Sequence, residues 1–326
     1  MTRLVQQTVH EPAAEFVAVT CSFCGVDDAV TLGFRDRLER ARLPGRYNFR
    51  VVRCRRCGLI YVNPQPRMQP GDAAELYDDD YYRTHPGFAV SSAEVFRRYH
   101  QSELAHIERW IGVGSLLELG CAHGFFLHEA ALRGWQVTGV DISPTAIEEG
   151  RRRFGLRLVR GTLDSATLPG ESFDLIYSHH MLEHTPDPCR VLSEATRRLR
   201  SGGLLVLAVP NEGSLATRAG HWRAKLLGEA WTSYLCPPLH LVGFTPRSLS
   251  AVLERLGLTL ERLWVSGAGS HRYPPHRELQ IFFQMERPAG KRIIMRAGQW
   301  LGCGELLVAY ARKPLSVAAG DRLAPT

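Results

Sequence analysis

An α/β fold with a doubly wound parallel sheet, preceded by a small metal-binding unit, is predicted by three features of the 326-residue sequence. Short apolar runs alternate with helical patterns from Ser115 onward. A turn bracketed by glycines joins the first run to its helix, and two Cys-x-x-Cys pairs stand near the N-terminus. Repeated strand–helix units of this length close a parallel sheet covered on both faces.

The elements follow in order. Val95, Phe96, Tyr99, Leu104, Ile107 and Ile111 recur at helical spacing and predict a helix over Ser92–Ile111. Ser115–Leu119 reads as the first strand and Gly124–Arg133 as its helix; Gln136–Val140 is the second strand. Ser143-Pro144 opens a helix, with Ser as N-cap and Pro at the first helical position. Leu156–Val159 and Phe173–Ser178 are strands three and four. Pro188–Arg200 is a helix stopped by Gly202-Gly203, and Leu204–Val209 is the fifth strand. Residues 211–244 break the rhythm before Thr245-Pro246 starts another helix, and Leu258–Val265 and Glu305–Arg312 complete the sheet. Three regions result: a cysteine-bearing domain at 17–66, a helical linking region at 67–114, and a nucleotide-fold domain at 115–314 with an insertion at 211–244.

Composition is that of an ordinary globular chain, 44% hydrophobic and 22% charged. The N-terminus lacks the apolar core of a secretory signal, and no run of about 18 apolar residues occurs. A cytoplasmic protein with no membrane partner is expected. The net charge of +7 raises nucleic acid as a partner. The arginines, however, fall in short groups such as Arg151–Arg153 and Arg197, Arg198 and Arg200, as on solvated helix faces, and no aromatic residues interleave with them as a base-stacking surface requires.

Leu116-Leu-Glu-Leu-Gly-Cys-Ala-His-Gly-Phe-Phe-Leu127 carries the ligand signal. Gly120 and Gly124 let the backbone turn sharply and approach a ligand, with Cys121 between them in the turn. A dinucleotide site needs G-x-G-x-x-G; this spacing is G-x-x-x-G. Glu118, on the strand before the turn, would repel a pyrophosphate but suits a cofactor bearing an ammonium and a sulfonium. Asp141 ends the second strand, placed to accept two ribose hydroxyls; capping of the following helix is its plain structural alternative.

With these residues in hand, the chain resembles the class I S-adenosylmethionine-dependent methyltransferases. Leu116–Leu127, Val140-Asp-Ile-Ser143, Ser172-Phe-Asp-Leu-Ile176 and Arg198–Val206 match their successive motifs in order, with Ala122 where the family usually has a middle glycine. The resemblance implies a seven-stranded Rossmann-like methyltransferase sheet with its last strand antiparallel. It also implies S-adenosyl-L-methionine as cofactor, held at Glu118, Gly120, Cys121, Gly124, Asp141 and Ile142. Adenine contacts near Thr162 and Leu163 and a cofactor contact near His179 complete that set.

Directly after the fourth strand, His180, Glu183 and His184 are spaced so that one helical turn brings them to one face. Met181–Pro188 resembles the ubiquinone-biosynthesis O-methyltransferases, and the small-RNA 2′-O-methyltransferases carry a similar arrangement. In those families glutamates and histidines can hold a divalent cation that activates the acceptor hydroxyl. Here His180 replaces the first glutamate, which favours a softer ion than Mg²⁺, and His240 is the candidate distant histidine. The cluster serves either as general base, His184 first, or as a second divalent-cation site; a polar turn without chemistry is the alternative. Trp222, Trp231 and Tyr234 make the 211–244 insertion a candidate lid over the acceptor.

Cys21-Ser-Phe-Cys24-Gly and Cys54-Arg-Arg-Cys57-Gly supply four thiolates for a structural Zn²⁺, a closed site whose role is folding. Cys57–Pro66 and the tyrosines after it resemble the zinc-binding N-terminal segment of bacterial small-molecule methyltransferases. The expected activity is methyl transfer from S-adenosylmethionine to a small-molecule hydroxyl in secondary metabolism. RNA methylation (at 2′-O or a base), sugar C- or N-methylation, a nucleotide-dependent oxidoreductase and an inert scaffold are its rivals.

Overall fold

The computed structural model describes residues 16–36, 48–67, 76–77, 81–82, 93–166, 168, 173–228, 234–266 and 289–315. Strands β1 (Phe16–Val17), β2 (Ala29–Asp36), β3 (Asn48–Cys54), β4 (Ile60–Val62) and β5 (Gln65–Pro66) come first, followed by helix α1 (Ala93–Ile107). The alternating half then runs β6 (Ser115–Leu119), α2 (Phe125–Leu132), β7 (Gln136–Asp141), α3 (Pro144–Phe154), β8 (Leu158–Arg160) and β9 (Phe173–His179). After it come α4 (Pro188–Arg198), β10 (Leu199–Pro210), α5 (Leu215–Leu227), β11 (Val242–Gly243), α6 (Pro246–Arg255), β12 (Thr259–Ser266), α7 (Ala289–Trp300) and β13 (Leu306–Arg312).

Seven strands form one sheet in the order β12-β13-β10-β9-β6-β7-β8, and β13 runs antiparallel to both neighbours. Its strands are apolar on both faces because both are covered. Leu116, Leu175, Val206 and Val308 face one core, shared with α1, α2 and α3; Leu117, Ile176, Leu205 and Leu307 face the other, shared with α4 and α6. Leu116, Leu117 and Leu119 are essentially fully buried, a contribution of about 1.5–3 kcal/mol each.

Several local expectations hold. Ser143 caps α3, its hydroxyl accepting from Ala146 N, and Thr245 and Ser248 form a capping box with Pro246 at the start of α6. β10 starts five residues earlier than predicted. The register shifts between Leu199 and Leu204, so Ser201-Gly202-Gly203 forms an irregularity inside the strand instead of a stop before it. The 211–244 stretch contains a helix, α5, that the sequence reading did not predict; the β2–β3 pair and α7 are further additions.

A second sheet has the order β11-β4-β3-β2. β2, β3 and β4 come from the cysteine-bearing segment and β11 from between α5 and α6: Val242 pairs with Tyr61 and Gly243 with Ile60. Cys21, Val52, Cys54, Leu59 and Tyr61 therefore share one apolar cluster with Leu117, Leu207, Leu249 and Phe244. Arg255 reinforces the junction, donating to the Phe23 carbonyl at 2.7 Å and lying over the Phe23 ring. Among the described residues no helix is long and apolar enough to cross a membrane.

Candidate active site

The carboxyl ends of β6, β7, β9 and β10 lie side by side: Leu119 is level with Val140 and Ser178, and His179 with Ala208. That edge is where an open α/β sheet binds its ligand. At the end of β6 the chain turns through Gly120 (φ 74°), Ala122 (φ 45°) and Gly124 (φ 77°). A Cβ on Gly120 would come within 2.6 Å of Met181 Cγ, so glycine is required there to admit the turn that carries Glu183 and His184. Ala122 occupies the left-handed region at a cost of about 1 kcal/mol.

Asp141 closes this loop. Its carboxylate accepts from Ala122 N at 2.8 Å and Ser143 N at 2.9 Å. The cap of α3 is Ser143, so capping is not what Asp141 contributes. Burial raises the Asp141 carboxyl against the pull of those backbone donors. Glu118 is buried beneath the loop, pushed well above the ordinary carboxylate range by burial and then by Asp141, and its Oε2 has no hydrogen-bond partner. A buried polar atom left without a partner marks a place where a ligand, ion or water is to be expected. Cys121 is buried in the turn and Ile142 half-buried beside Asp141. Gly161 N donates to the Asp141 carbonyl at 2.8 Å, so exposed Thr162 and buried Leu163 follow directly alongside.

The histidine–glutamate segment leaves β9 through His179, whose Nε2 is 3.0 Å from the Tyr99 hydroxyl. His180 then takes a left-handed conformation (φ 52°), and Leu182–His184 make a single 3-10 turn. Ligand atoms of Glu183, His184 and His240 lie within 4.8 Å of one another. His180 is not in that set; its Nδ1 meets Glu183 Oε1 at 3.0 Å instead. Burial alone would raise the Glu183 carboxyl, but the bond to His180 and the charges of the three imidazoles hold it at about 2. Burial opposes a proton on His240, yet the Cys236 side chain, Glu183 and the Tyr234 carbonyl raise it to about 9.

His240 reaches the cluster because Leu241 N donates to the Glu183 carbonyl at 2.8 Å, and the Leu241 carbonyl accepts from Val62 N at 2.9 Å. Its Nδ1 lies 2.8 Å from the Tyr234 carbonyl. A residue given no role from sequence completes the site. Tyr77 holds His184 Nδ1 at 2.7 Å through its hydroxyl and accepts from Ser143 Oγ at 2.9 Å through its carbonyl, tying the cluster to the Asp141 loop. The tyrosines at 77, 81 and 82 were its only signal. Trp222, expected over the acceptor, is 66% exposed on α5; Trp231 lies outside the described residues, and Tyr234 N donates to Glu212.

The four cysteines form the second cluster. Cys21–Cys57, Cys24–Cys54 and Cys21–Cys24 sulfur distances are 3.5, 3.8 and 4.0 Å, against roughly 3.8 Å for thiolates placed tetrahedrally on zinc. Backbone N–H groups of Phe23 and Cys24 lean on the Cys21 sulfur, and those of Arg56 and Cys57 on Cys54. Burial, with the crowding of neighbouring sulfurs, pushes the Cys21 thiol up to about 11 and Cys57 higher still. The cluster is compatible with a zinc site.

Comparison with known proteins finds methyltransferases. A ubiquinone biosynthesis O-methyltransferase from Xanthomonas axonopodis pv. citri is 30% identical over 155 residues, 45% of this chain and 63% of its own length. A malonyl-[acyl-carrier protein] O-methyltransferase from Serratia marcescens is 29% identical over 131 residues, 38% of this chain and 48% of its own length. The chain thus spans about half to just under two thirds of these relatives. Among solved structures, geranyl diphosphate C-methyltransferase from Streptomyces coelicolor A3(2) has a TM-score of 0.46 at 16% identity, covering 65% of this chain and 79% of that one. The methyltransferase domain family matches residues 95–263, more than half of the sequence, and the chain belongs to it as a class I S-adenosylmethionine-dependent methyltransferase.

Proposed function

We propose that the chain transfers the methyl group of S-adenosylmethionine to a hydroxyl of a small molecule in secondary metabolism, with Glu183, His184 and His240 managing the acceptor's proton. The observation that carries this reading is the convergence of one ionised carboxylate and two imidazoles within 4.8 Å, joined to the cofactor loop through Met181 and Tyr77.

The residues present fit the cofactor. The unpartnered Glu118 Oε2 suits its ammonium, Asp141 its ribose hydroxyls, the turn from Gly120 through Cys121 to Gly124 its close approach, and Ile142, Thr162 and Leu163 its adenine. His179 stands at the end of β9 beside them. When bound, the cofactor supplies an electrophilic methyl on sulfonium. The chain's part is to align the acceptor and take its proton, since in-line geometry provides most of the rate.

The same trio fits a divalent cation. Glu183 Oε2 is buried without a partner, and Nδ1 of each histidine is held by an oxygen, the orienting contact that ligating imidazoles make. Two nitrogens and one carboxylate favour a transition-metal ion over Mg²⁺. A second reading, His184 as general base, draws support from ionised Glu183 beside it, which would stabilise an imidazolium. The four N-terminal cysteines would hold a structural zinc, and the segment carrying His240 would border the acceptor.

The test is methyl transfer to a panel of phenols and hydroxy acids with and without a chelator that spares the cysteine site. O-methyl products are expected; transfer only to carbon, nitrogen or RNA would overturn the reading. Loss of turnover on chelation, restored by Mn²⁺ or Co²⁺, separates the cation from the base.

A further inference from the structure

Seven of the eleven exposed large hydrophobic residues among those described fall on α5, on α7 or just after α7. On α5, Trp222 (66% exposed) and Leu226 (79%) are one turn apart and form a ridge. Arg218 and Lys225 flank the ridge on one side and Arg223 on the other, all exposed. On α7, Ile293 (69%), Ala297 and Trp300 (83%) form a second ridge beside exposed Arg296, with Leu301 following. The helices touch: Gly298, on the buried side of α7, fits against Leu215 because a Cβ there would come within 3.0 Å.

Their charge is equally one-sided. Neither 215–227 nor 289–301 contains an aspartate or glutamate, while together they carry Arg218, Arg223, Lys225, Lys291, Arg292 and Arg296. The other surface helices mix signs: Glu94 pairs with Arg97 and Arg98 on α1, Glu149 with Arg152 on α3, and Glu194 with Arg197 and Arg198 on α4. Bulky apolar ridges with only basic residues alongside are the pattern of helices lying in a membrane interface. Trp and Leu enter the acyl boundary and Arg and Lys reach the headgroups. An acidic protein partner would match the basic composition but leave most of two exposed tryptophan ridges without a matching function.

We propose that α5 and α7 form a docking surface for an anionic lipid bilayer, which the chain binds peripherally. The sequence reading expected no membrane partner because it looked for spans and targeting segments, and an interfacial helix pair produces neither. The proposal stands on the helix pair alone and does not depend on which acceptor is methylated.

Vesicle flotation of the full chain tests it, using phosphatidylcholine with and without 30% phosphatidylglycerol. Binding to the anionic vesicles is expected, weak on phosphatidylcholine alone and falling steeply with salt. Arg218→Gln/Arg223→Gln/Lys225→Gln should weaken partition about 100-fold, near fivefold per charge removed. Trp222→Ser/Trp300→Ser should abolish flotation, with an unchanged thermal midpoint showing that the fold is intact. Three results would overturn the proposal: no flotation, equal flotation on both vesicles, or capture by an acidic protein with no affinity for lipid. Shielding of Trp222 and Trp300 from acrylamide in lipid-free protein would also overturn it, whether another part of the chain or a second copy, seen as a doubled mass, covers the face.

Discussion

The two clusters that could hold a metal ion differ in how they are built. Cys21, Cys24, Cys54 and Cys57 are four identical donors on two short turns, each turn closed by a backbone bond from the following glycine (Gly25 N to Cys21 O, Gly58 N to Cys54 O). Glu183, His184 and His240 are mixed donors, and the third arrives from 56 residues further along the chain. The first is a closed set suited to stability; the second keeps polar groups beside a cofactor loop. They are also mechanically joined, because Leu241 bonds both to Glu183 and to Val62 of the cysteine-bearing sheet.

That join makes the comparison breakable. The largest effect is expected from Cys54→Ser. It should abolish Zn²⁺ binding by the four cysteines, an interaction that provides on the order of 10 kcal/mol of folding free energy in small zinc units. It should also disorganise His240, read as a lost imidazole signal shift by NMR on titrating Mn²⁺ or Co²⁺. A variant that keeps a native His240 environment would show the two clusters to be independent. Next comes His184→Ala, expected to lower turnover about 10²- to 10⁴-fold while cofactor affinity holds; full activity would remove His184 from the chemistry.

Glu118→Gln should weaken S-adenosylmethionine binding about 10- to 100-fold by calorimetry. Because burial raises the Glu118 carboxyl, the cofactor-free protein keeps that proton above the usual carboxylate range, and an ammonium drawn to Glu118 expels it. Affinity should therefore climb with pH until Glu118 is ionised in the free protein, with a buffer-dependent heat; a pH-independent heat would refute the contact. Tyr77→Phe removes one hydrogen bond from His184 and should cost roughly tenfold in turnover, with little change in cofactor affinity. The smallest effect is Ala122→Gly, expected to stabilise the chain by about 0.5–1 kcal/mol through release of the left-handed alanine. An unchanged or lower melting temperature would show that no strain resides there.

What was legible followed from local rules. Gly120, Ser143 and the CxxCG turns announce themselves because a turn, a cap or a knuckle depends on residues within a few positions. The parallel sheet followed from the alternation of strands and helices, and its antiparallel last strand from the family resemblance. By contrast, Tyr77 could not be read as a partner of His184, since 107 residues intervene and no periodicity links them. α5 was hidden because its exposed Trp and Leu residues blur the apolar stripe that marks a surface helix. His180 was read as a fellow ligand on an assumed helical turn; the left-handed backbone at that position turns it onto Glu183 instead.

The pairing of β11 with β4 also sets a timetable. On the ribosome, β4 emerges about 180 residues before the strand that completes its sheet, an interval of roughly 10–35 s at ordinary synthesis rates. Throughout it the Ile60–Val62 edge stands unpaired and able to accept any passing strand. Early capture of an ion by the four cysteines would hold the nascent sheet in register until Val242 arrives, so metal supply would govern the yield of correctly assembled chain before any catalysis begins.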